Sequence, residues 1–466
     1  MKSIPKEPPR IAIKFANMVF VLGILYSILL VVYVTYKIYN LPETVSPTFY
    51  IISMLFGVVF ATLFGLGIKR LTNNLKVNLS LLFFTIGITV YGFETYLEFK
   101  PLKREIIAKQ MGVPYDTRTS MKVLEDLKDS GFNAFPNIFP SLFIKSNGLT
   151  SKKGRIYPLG TISNSTTILG NESGYYPIVK TDEHGFNNSK GLYIENNVDI
   201  ILTGDSYTEG YSVHSNENIS AVLRQSDFAA INIGKGSNGP LLELAALKEY
   251  AEPLKPKIVL WLYYVNDLSN LTNREMQSSI LRKYLNEDDY SQNLISRQEE
   301  IDDVLINYLQ VDWEKEKKKF INRERPQIEM VKMRIMSILK LNKLRIMINL
   351  MPLSNPAPIF RDILSKSNQM VLGWGGKMYF VYLPSFERYT RGNEHKYHDF
   401  VMKTVKELEI PIIEIHKEVF DPHPDPLSLF PFRIYSHYNA EGYKLVAEAI
   451  GKRLEEDGYV PIKSKK

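Results

Sequence analysis

The chain has 466 residues, a formal net charge of +7 and no cysteine. This length leaves ample material for a core, and the missing cysteine excludes thiol catalysis, disulfides, iron–sulfur clusters and cysteine-ligated zinc. Basic charge indicates nucleic-acid binding when it covers one face of a soluble domain. Here much of it flanks apolar segments, so the sequence predicts a membrane as a partner and no nucleic acid.

Residues 1–100 predict a membrane region with three transmembrane helices. Residues 16–36 and 48–68 contain no charge, and crossing a bilayer takes roughly 20 apolar residues. A third segment, 79–93, reaches that length only if it includes Glu94 and Glu98. The first segment is too long for the apolar core of a signal peptide and no cleavage site follows it, so we expect an anchor.

Lysine and arginine near the three segments predict their orientation. Basic residues cluster before the first segment and between the second and third, namely Lys2, Lys6, Arg10, Lys14, Lys69, Arg70 and Lys76. The loop between the first two segments has only Lys37. We therefore expect a multi-pass membrane protein with a cytoplasmic N-terminus and an extracytoplasmic remainder. If the third segment only lies on the membrane, the remainder is cytoplasmic instead.

Residues 101–192 are rich in Gly, Asn, Ser, Thr and Pro and predict a connector of short strands and turns, with one helix near 120–130. Residues 193–466 predict an α/β domain, because continuous apolar runs alternate with helical patterns. The runs are 198–203, 229–233, 257–264, 378–383 and 410–415, and the helices are 240–254, 395–408 and 440–455. Such runs suit strands buried on both faces of a parallel sheet, which predicts a three-layer α/β/α sandwich.

Residues 268–370 interrupt this alternation with charged, helical sequence and predict an insertion between the third and fourth strands. A solvated helical excursion is one interpretation of such a charge run. A lid or a membrane-proximal arm is the other, because the basic and apolar residues 332–351 suit contact with anionic lipid.

Four polar stretches lie where the predicted strands end. They are Gly204-Asp205-Ser206, NIGKGSNGP (232–240), Asn266-Asp267 and SHYNAEGY (436–443). Ligands gather at the carboxyl ends of strands in open α/β sheets, so we expect these stretches to meet at one edge. A serine, a loop of backbone donors, an amide and a histidine are the set that acyl transfer needs.

The four stretches resemble the blocks of the SGNH (GDSL) hydrolase superfamily, which carry Ser, Gly, Asn and His in that order. GDSYTEG is similar to the first block, YYVNDL to the third and HYNAEGYKLVAEAI to the last, and DEHGFNN (182–188) also recurs in this group. The resemblance covers about residues 180–460, without the insertion and the membrane region.

The resemblance implies that Ser206 is the nucleophile and that His437 takes its proton and returns it to the leaving group. It also implies an oxyanion hole made by the backbone N–H of Ser206, a backbone N–H of Gly236 or Ser237, and the Asn266 amide. No metal or organic cofactor is expected.

The chain departs from the family pattern at three positions. Ser237 aligns with the second-block glycine, and Tyr264 stands where a glycine usually precedes the third-block asparagine. Ile434 stands where an aspartate usually precedes the histidine by three residues. For the residue that orients His437, the sequence leaves open Asp421, Asp425, a backbone carbonyl, or a Ser–His dyad without an acid.

Plainer interpretations of these residues also stay open. Ser206 and Glu209 fit the Ser-x-x-Glu capping box of a helix start. His437 could be a surface or capping histidine, Asn266 a turn residue, and Gly236 part of an ordinary turn.

Three other histidines raise the question of a metal site. His395 and His398 have helical spacing, and His423 lies between two aspartates. No third ligand has an obvious spacing, so the sequence favours a solvated helix and a loop over a metal site.

The sequence therefore predicts a membrane-anchored hydrolase that acts on O-acyl esters in the cell envelope, with an acylated glycan or lipid as substrate. One alternative is an O-acetyltransferase of an envelope glycan that uses the same acyl-serine. It would need a membrane partner protein, because three spans look too few to import an acyl donor alone. An alternative of another class, motivated by Ile434, is an inactive binding or assembly protein that keeps the fold.

Overall fold

The computed structural model describes residues 7–40, 47–99, 104–194, 198–321, 327–347, 357–392 and 397–460. Its helices are α1 (Arg10–Tyr39), α2 (Thr48–Arg70), α3 (Asn73–Phe99), α4 (Arg104–Gln110), α5 (Ser120–Asp129), α6 (Ser206–Glu209), α7 (Ile219–Gln225), α8 (Pro240–Ala246), α9 (Asp267–Asn273), α10 (Ser279–Asn286), α11 (Gln298–Ile321), α12 (Gln327–Leu339), α13 (Asn342–Met347), α14 (Ala357–Gly373), α15 (Phe386–Arg391), α16 (His398–Glu407) and α17 (Ala440–Glu456). The strands are β1 (Leu149–Ser151), β2 (Gly154–Ile156), β3 (Thr166–Ile168), β4 (Ile178–Lys180), β5 (Ile200–Thr203), β6 (Ala230–Asn232), β7 (Ile258–Tyr263), β8 (Lys377–Tyr382) and β9 (Ile412–Glu414).

The chain divides into two compact units. One comprises Met1–Pro101 and Glu316–Asn355, and the other comprises Leu102–Lys315 and Pro356–Lys466. In the first unit, α1, α2 and α3 are long and apolar enough to cross a membrane. Most of their side chains lie on the surface of the unit, as expected of helices that face lipid.

A parallel five-stranded sheet forms the centre of the second unit, in the order β6-β5-β7-β8-β9. All five predicted strands are present. Alternate residues point to opposite faces of a strand, and on β5 Ile201 joins one apolar cluster while Ile200 and Leu202 join the other. Helices α8, α14 and α16 cover the first face, and α7 and α17 cover the second. The structure therefore confirms the predicted three-layer α/β/α sandwich, which follows three long apolar helices in the chain.

The predicted connector is part of the sheet's own unit. Its short strands pair as the antiparallel hairpins β1–β2 and β3–β4. Buried residues of this segment, such as Ile138, Tyr157 and Phe186, belong to the same apolar cluster as β5 and β7. This segment therefore contributes to the core of the sandwich.

The predicted insertion is divided between the two units. Residues up to 315 belong to the sheet's unit, where Leu281 of α10 and Leu305 of α11 are buried against the sheet's apolar cluster. Residues 316–355 belong instead to the unit of the membrane helices.

Candidate active site

Ser206 lies immediately beyond the end of β5, as the first residue of α6. Gly204 allows the tight turn between strand and helix, since a Cβ atom there would lie 2.1 Å from Thr208 Oγ1 and 2.8 Å from the Leu262 carbonyl oxygen. Asp205 caps the helix by accepting a hydrogen bond from the Tyr207 N–H at 2.9 Å. The turn thus presents the half-buried Ser206 at the carboxyl edge of the sheet.

A chain of hydrogen bonds joins a serine, a histidine and a carboxylate. Ser206 Oγ lies 2.7 Å from His437 Nε2, and His437 Nδ1 lies 2.8 Å from Glu172 Oε2. The backbone N–H of His437 donates to the same Glu172 oxygen at 2.8 Å. This arrangement can activate a hydroxyl, because the imidazole can accept the proton while the carboxylate orients the ring and stabilises its charged form.

Other groups hold the Glu172 carboxylate in its ionised form. Arg104 donates to Oε1 at 3.2 Å, and Ser212 donates to Oε2 at 3.0 Å. Burial alone would raise the pKa of Glu172, but the hydrogen bonds from His437 and the charge of Arg104 lower this pKa to about 2. Glu172 is therefore a carboxylate at neutral pH.

The structure does not support Asp421 or Asp425 as the acid that orients His437. Asp421 accepts a hydrogen bond from Tyr389 at 3.1 Å, and Asp425 forms an ion pair with Arg433. Glu172 takes the place beside the imidazole, so neither a dyad nor a backbone carbonyl is needed. Sequence reasoning missed Glu172 because it lies in a Gly-, Asn- and Ser-rich loop of the connector, 34 positions before Ser206, where no family block marks it.

The predicted backbone donors of the oxyanion hole differ in whether they already donate a hydrogen bond within the protein. The Gly236 N–H donates to Glu209 Oε2 at 2.8 Å, so this group is already engaged. Within the described part of the chain, the N–H groups of Ser206 and Ser237 donate to no protein acceptor. Ser237 has a φ of 64°, in the left-handed region that favours glycine, which fits its alignment with the family glycine.

Asn266 lies at the end of β7, beside Asp205. Burial raises the pKa of Asp205, whereas the Tyr207 N–H, His437 and the Asn266 side chain act to lower it. The Asn266 amide is thus adjacent to the residue that precedes the serine. Tyr264, at the other departure from the family pattern, is accommodated because its ring packs on that of Tyr207 with centroids 4.1 Å apart.

The capping-box interpretation of Ser206 and Glu209 is wrong, because Asp205 is the N-cap residue. Glu209 instead forms a buried ion pair with Lys235, with Oε1 and Nζ 2.5 Å apart. Asn137 bridges both groups, donating to Glu209 at 2.8 Å and accepting from Lys235 at 2.6 Å. With the Gly236 hydrogen bond, this pair fixes the second-block loop against the helix that carries the serine.

The DEHGFNN segment fastens the same helix to the sheet. Asn187 donates to the Glu209 carbonyl at 2.7 Å, and Asn188 exchanges hydrogen bonds with the backbone of Asn232 in β6. Asn232 in turn donates to the Thr208 carbonyl at 2.6 Å. The segment therefore holds α6 in position through hydrogen bonds to α6 itself and to β6.

Aromatic side chains line the site. The rings of Tyr207 and Tyr211 lie 4.6 and 5.0 Å from that of His437. Phe139 lies 6.3 Å from Tyr211 and packs on Gly236, where a Cβ atom would be 2.5 Å from the Phe139 ring. Phe139 and Glu172 both come from the predicted connector, which therefore builds one side of the site.

One cluster has the side chains to hold a metal ion. Ligand atoms of His398, Glu414 and His416 lie within 4.8 Å of one another. Lys417 already forms an ion pair with Glu414 at 2.8 Å, and burial, together with the charge of Arg388, lowers the pKa of His416 to about 4. Neighbouring cations thus compete with a metal ion there. His395, singled out in the sequence, lies outside the described residues.

No protein-family model and no curated protein matches the sequence. The solved structures that it resembles include esterases. The acetylxylan esterase Axe2 from Geobacillus stearothermophilus has 14% identity and a TM-score of 0.31 over 59% of this chain and 100% of that one. The acetyl xylan esterase AlAXEase has 12% identity and a TM-score of 0.32 over 55% and 100%. A protein assigned to the G-D-S-L family of lipolytic proteins, from Desulfitobacterium hafniense, has 15% identity and a TM-score of 0.28 over 55% and 99%. At these identities and TM-scores, the functional argument rests on the site geometry.

Proposed function

We propose that this protein is a membrane-anchored serine hydrolase that acts on O-acyl esters. The observation that carries the proposal is the hydrogen-bonded chain Ser206–His437–Glu172. A serine hydroxyl, an imidazole and a partly buried carboxylate in this order form the constellation that supports acyl transfer in unrelated folds.

In the proposed reaction, Ser206 Oγ attacks the ester carbonyl while its proton moves to His437 Nε2. Glu172 stabilises the imidazolium through Nδ1. The N–H groups of Ser206 and Ser237 and the Asn266 amide stabilise the negative charge on the carbonyl oxygen, and losing one such donor typically costs on the order of 100- to 1,000-fold in rate. His437 then protonates the leaving alcohol, and an acyl-serine remains.

Water completes a hydrolysis by attacking the acyl-serine: His437 accepts a proton from the water and then returns it to Ser206 Oγ as the bond to the acyl group breaks and the carboxylic acid leaves. A sugar hydroxyl in place of water would complete an O-acetyl transfer through the same intermediate. The hypothesis of an inactive binding protein rests on the absence of an aspartate at position 434. Glu172 supplies a carboxylate to His437 from elsewhere in the chain, so Ile434 does not indicate an inactive site.

The location that we propose follows from the helices and the charge pattern. Helices α1, α2 and α3 have the length to cross a membrane, and the basic residues before and at the start of α1, at the end of α2 and in the first turn of α3 favour the cytoplasm. The hydrolase unit would then face the extracytoplasmic side, where acylated envelope glycans and lipids are its substrates.

An assay with purified full-length protein tests the proposal. The protein is incubated with p-nitrophenyl acetate and with an acetylated glycan, with and without a deacetylated acceptor glycan. We expect acetate release that is lost in Ser206→Ala, and labelled acetyl groups in the acceptor would identify transfer instead. Release that is the same in Ser206→Ala, or no turnover by the folded protein, would contradict the proposal.

A further inference from the structure

The two acidic residues near the end of α3 form hydrogen bonds with residues of α12 and α13. Glu94 is fully buried, and its carboxylate accepts hydrogen bonds from the backbone N–H groups of Lys343 at 2.8 Å and Leu344 at 2.7 Å. Ser337 donates to Glu98 at 2.9 Å. Helices α12 and α13 therefore satisfy carboxylates that would be costly to expose to lipid.

Arginine–aromatic contacts show which end of the helix bundle α12 and α13 occupy. The Arg334 guanidinium lies 4.9 Å from the ring centre of Phe99, the last residue of α3. That of Arg345 lies 5.8 Å from the ring centre of Phe49, near the start of α2. Successive membrane-crossing helices run in opposite directions, so the start of α2 and the end of α3 lie at the same end of the bundle. Helices α12 and α13 thus lie at a membrane surface.

The outer face of α12 combines apolar and basic side chains. Val331, Ile335 and Leu339 are 51%, 48% and 56% exposed, and their spacing of four residues places them in one stripe. Residues 327–347 contain five basic residues and one acidic residue. Among the basic residues, Lys340 and Lys343 are exposed. An exposed apolar stripe beside lysines is typical of helices that lie in the interface of an anionic bilayer.

We infer that α12 and α13 form an interfacial anchor that binds anionic phospholipid. The stripe of Val331, Ile335 and Leu339 enters the boundary between headgroups and acyl chains. Lys340 and Lys343 pair with lipid phosphates. Continuity with the membrane-crossing helices and the excess of positive charge favour lipid as the occupant of this face over a partner protein. The inference does not depend on the hydrolase activity.

Spin labels test this inference in the full-length protein. Because the chain has no cysteine, Ile335→Cys and Leu339→Cys each carry a single nitroxide. Exposed apolar residues of the other unit, Ile178→Cys and Leu372→Cys, are the matched controls. In nanodiscs containing phosphatidylglycerol, we expect the ratio of oxygen to nickel-chelate collisions to be several-fold higher at the α12 positions than at the controls. Nickel accessibility equal to that of the controls would overturn the inference. The same result is expected if the stripe normally binds a partner protein, because in the nanodiscs it would then face water.

A comparison of anionic with zwitterionic lipid tests whether binding of α12 requires negative charge on the lipid. Replacing phosphatidylglycerol by phosphatidylcholine should lower the collision ratio at Leu339→Cys, and adding Lys340→Gln and Lys343→Gln should remove the difference between the two lipids. Lys403→Gln and Lys444→Gln, exposed lysines on α16 and α17, should leave the difference unchanged. A ratio that does not depend on lipid charge would contradict anionic lipid as the ligand. Monodisperse gel filtration and unchanged tryptophan emission control for folding.

Discussion

Glu172 makes two contacts with one residue, since the same oxygen accepts from the ring and from the backbone N–H of His437. The two bonds fix the imidazole plane as well as its tautomer, with Nδ1 protonated and Nε2 left to receive the serine proton. Arg104 and Ser212 restrain the carboxylate from the other side. The orientation of the base is therefore set by a loop far from it in the sequence.

Removing this carboxylate should slow catalysis with little effect on substrate binding. For Glu172→Ala we expect kcat to fall by on the order of 100- to 10,000-fold, because the imidazole loses its orientation and its counter-charge. Asp425→Ala, which breaks an exposed ion pair with Arg433, is the matched control and should keep wild-type kcat. Steady-state kinetics on an acetyl ester checks both variants. The assignment of Glu172 fails if the two variants behave alike.

The ionised state of Glu172 should also appear in stability. Its pKa is lowered from 4.5 to about 2 in the folded state, so its stabilising effect is complete above pH 4.5 and is lost as the pH falls towards 2. The shift corresponds to on the order of 3 kcal/mol of unfolding free energy. We expect the wild type to be more stable than Glu172→Gln at pH 7, and this gap to narrow below pH 4.5. Thermal unfolding followed by tryptophan fluorescence measures this difference in stability. A difference that is independent of pH would argue against an ionised, stabilising Glu172 carboxylate.

At the scale of elements, the buried pair of Glu209 and Lys235 ties α6 to the loop after β6. The Lys235 and Glu209 side chains are almost completely buried, and the Gly236 N–H shares the carboxylate. The loop therefore holds Ser237 in its left-handed conformation while the helix holds Ser206. This contact therefore links the two elements that carry the predicted backbone donors.

Lys235→Met should destabilise the protein by about 3–5 kcal/mol, because it leaves the Glu209 charge buried without its partner. Adding Glu209→Gln should recover part of this loss, since the uncompensated charge is then removed. Lys403→Met, at a side chain that is 77% exposed, should have little effect. Denaturant titration of the tryptophan signal compares the three variants with the wild type. A single variant as stable as the control would mean that the pair contributes no net stability.

Elements with a local signal could be predicted from the sequence. The five strands are continuous apolar runs because both faces of the sheet are covered, and Ser206 and His437 lie in blocks with characteristic neighbours. The role of Glu172 could not be predicted, because a loop residue is brought to His437 by tertiary packing alone. The division of residues 268–370 between the two units could not be predicted from the sequence either. A single helix, α11, begins among residues buried against the sheet's apolar cluster and ends in the other unit.

At the scale of the whole molecule, the acids of α3 are explained by helices from much later in the chain. In the sequence, the third apolar segment is long enough to cross a membrane only if it includes Glu94. Two backbone N–H groups of α13 donate hydrogen bonds to the Glu94 carboxylate, so α3 can include this residue. The unit that contains α1, α2 and α3 is therefore discontinuous in sequence, and the sheet's unit is joined to it after α3 and on both sides of residues 316–355.

Single cysteines should report the orientation that we propose. In cells with an intact plasma membrane, a membrane-impermeant maleimide should label Lys403→Cys on α16. It should label Lys69→Cys, at the end of α2, only after permeabilisation. The reverse pattern would place the hydrolase unit in the cytoplasm. The cysteine-free parent protein is the background control.

The central claim is that Ser206 is the nucleophile of a Ser206–His437–Glu172 triad. The most direct measurement is to treat the full-length protein with a fluorophosphonate probe and to locate the adduct by intact-mass and peptide mass spectrometry. We predict one adduct, on Ser206, that is absent from Ser206→Ala and forms much more slowly in Glu172→Ala. A folded protein that gives no adduct, or an adduct at another residue that persists in Ser206→Ala, would contradict the claim.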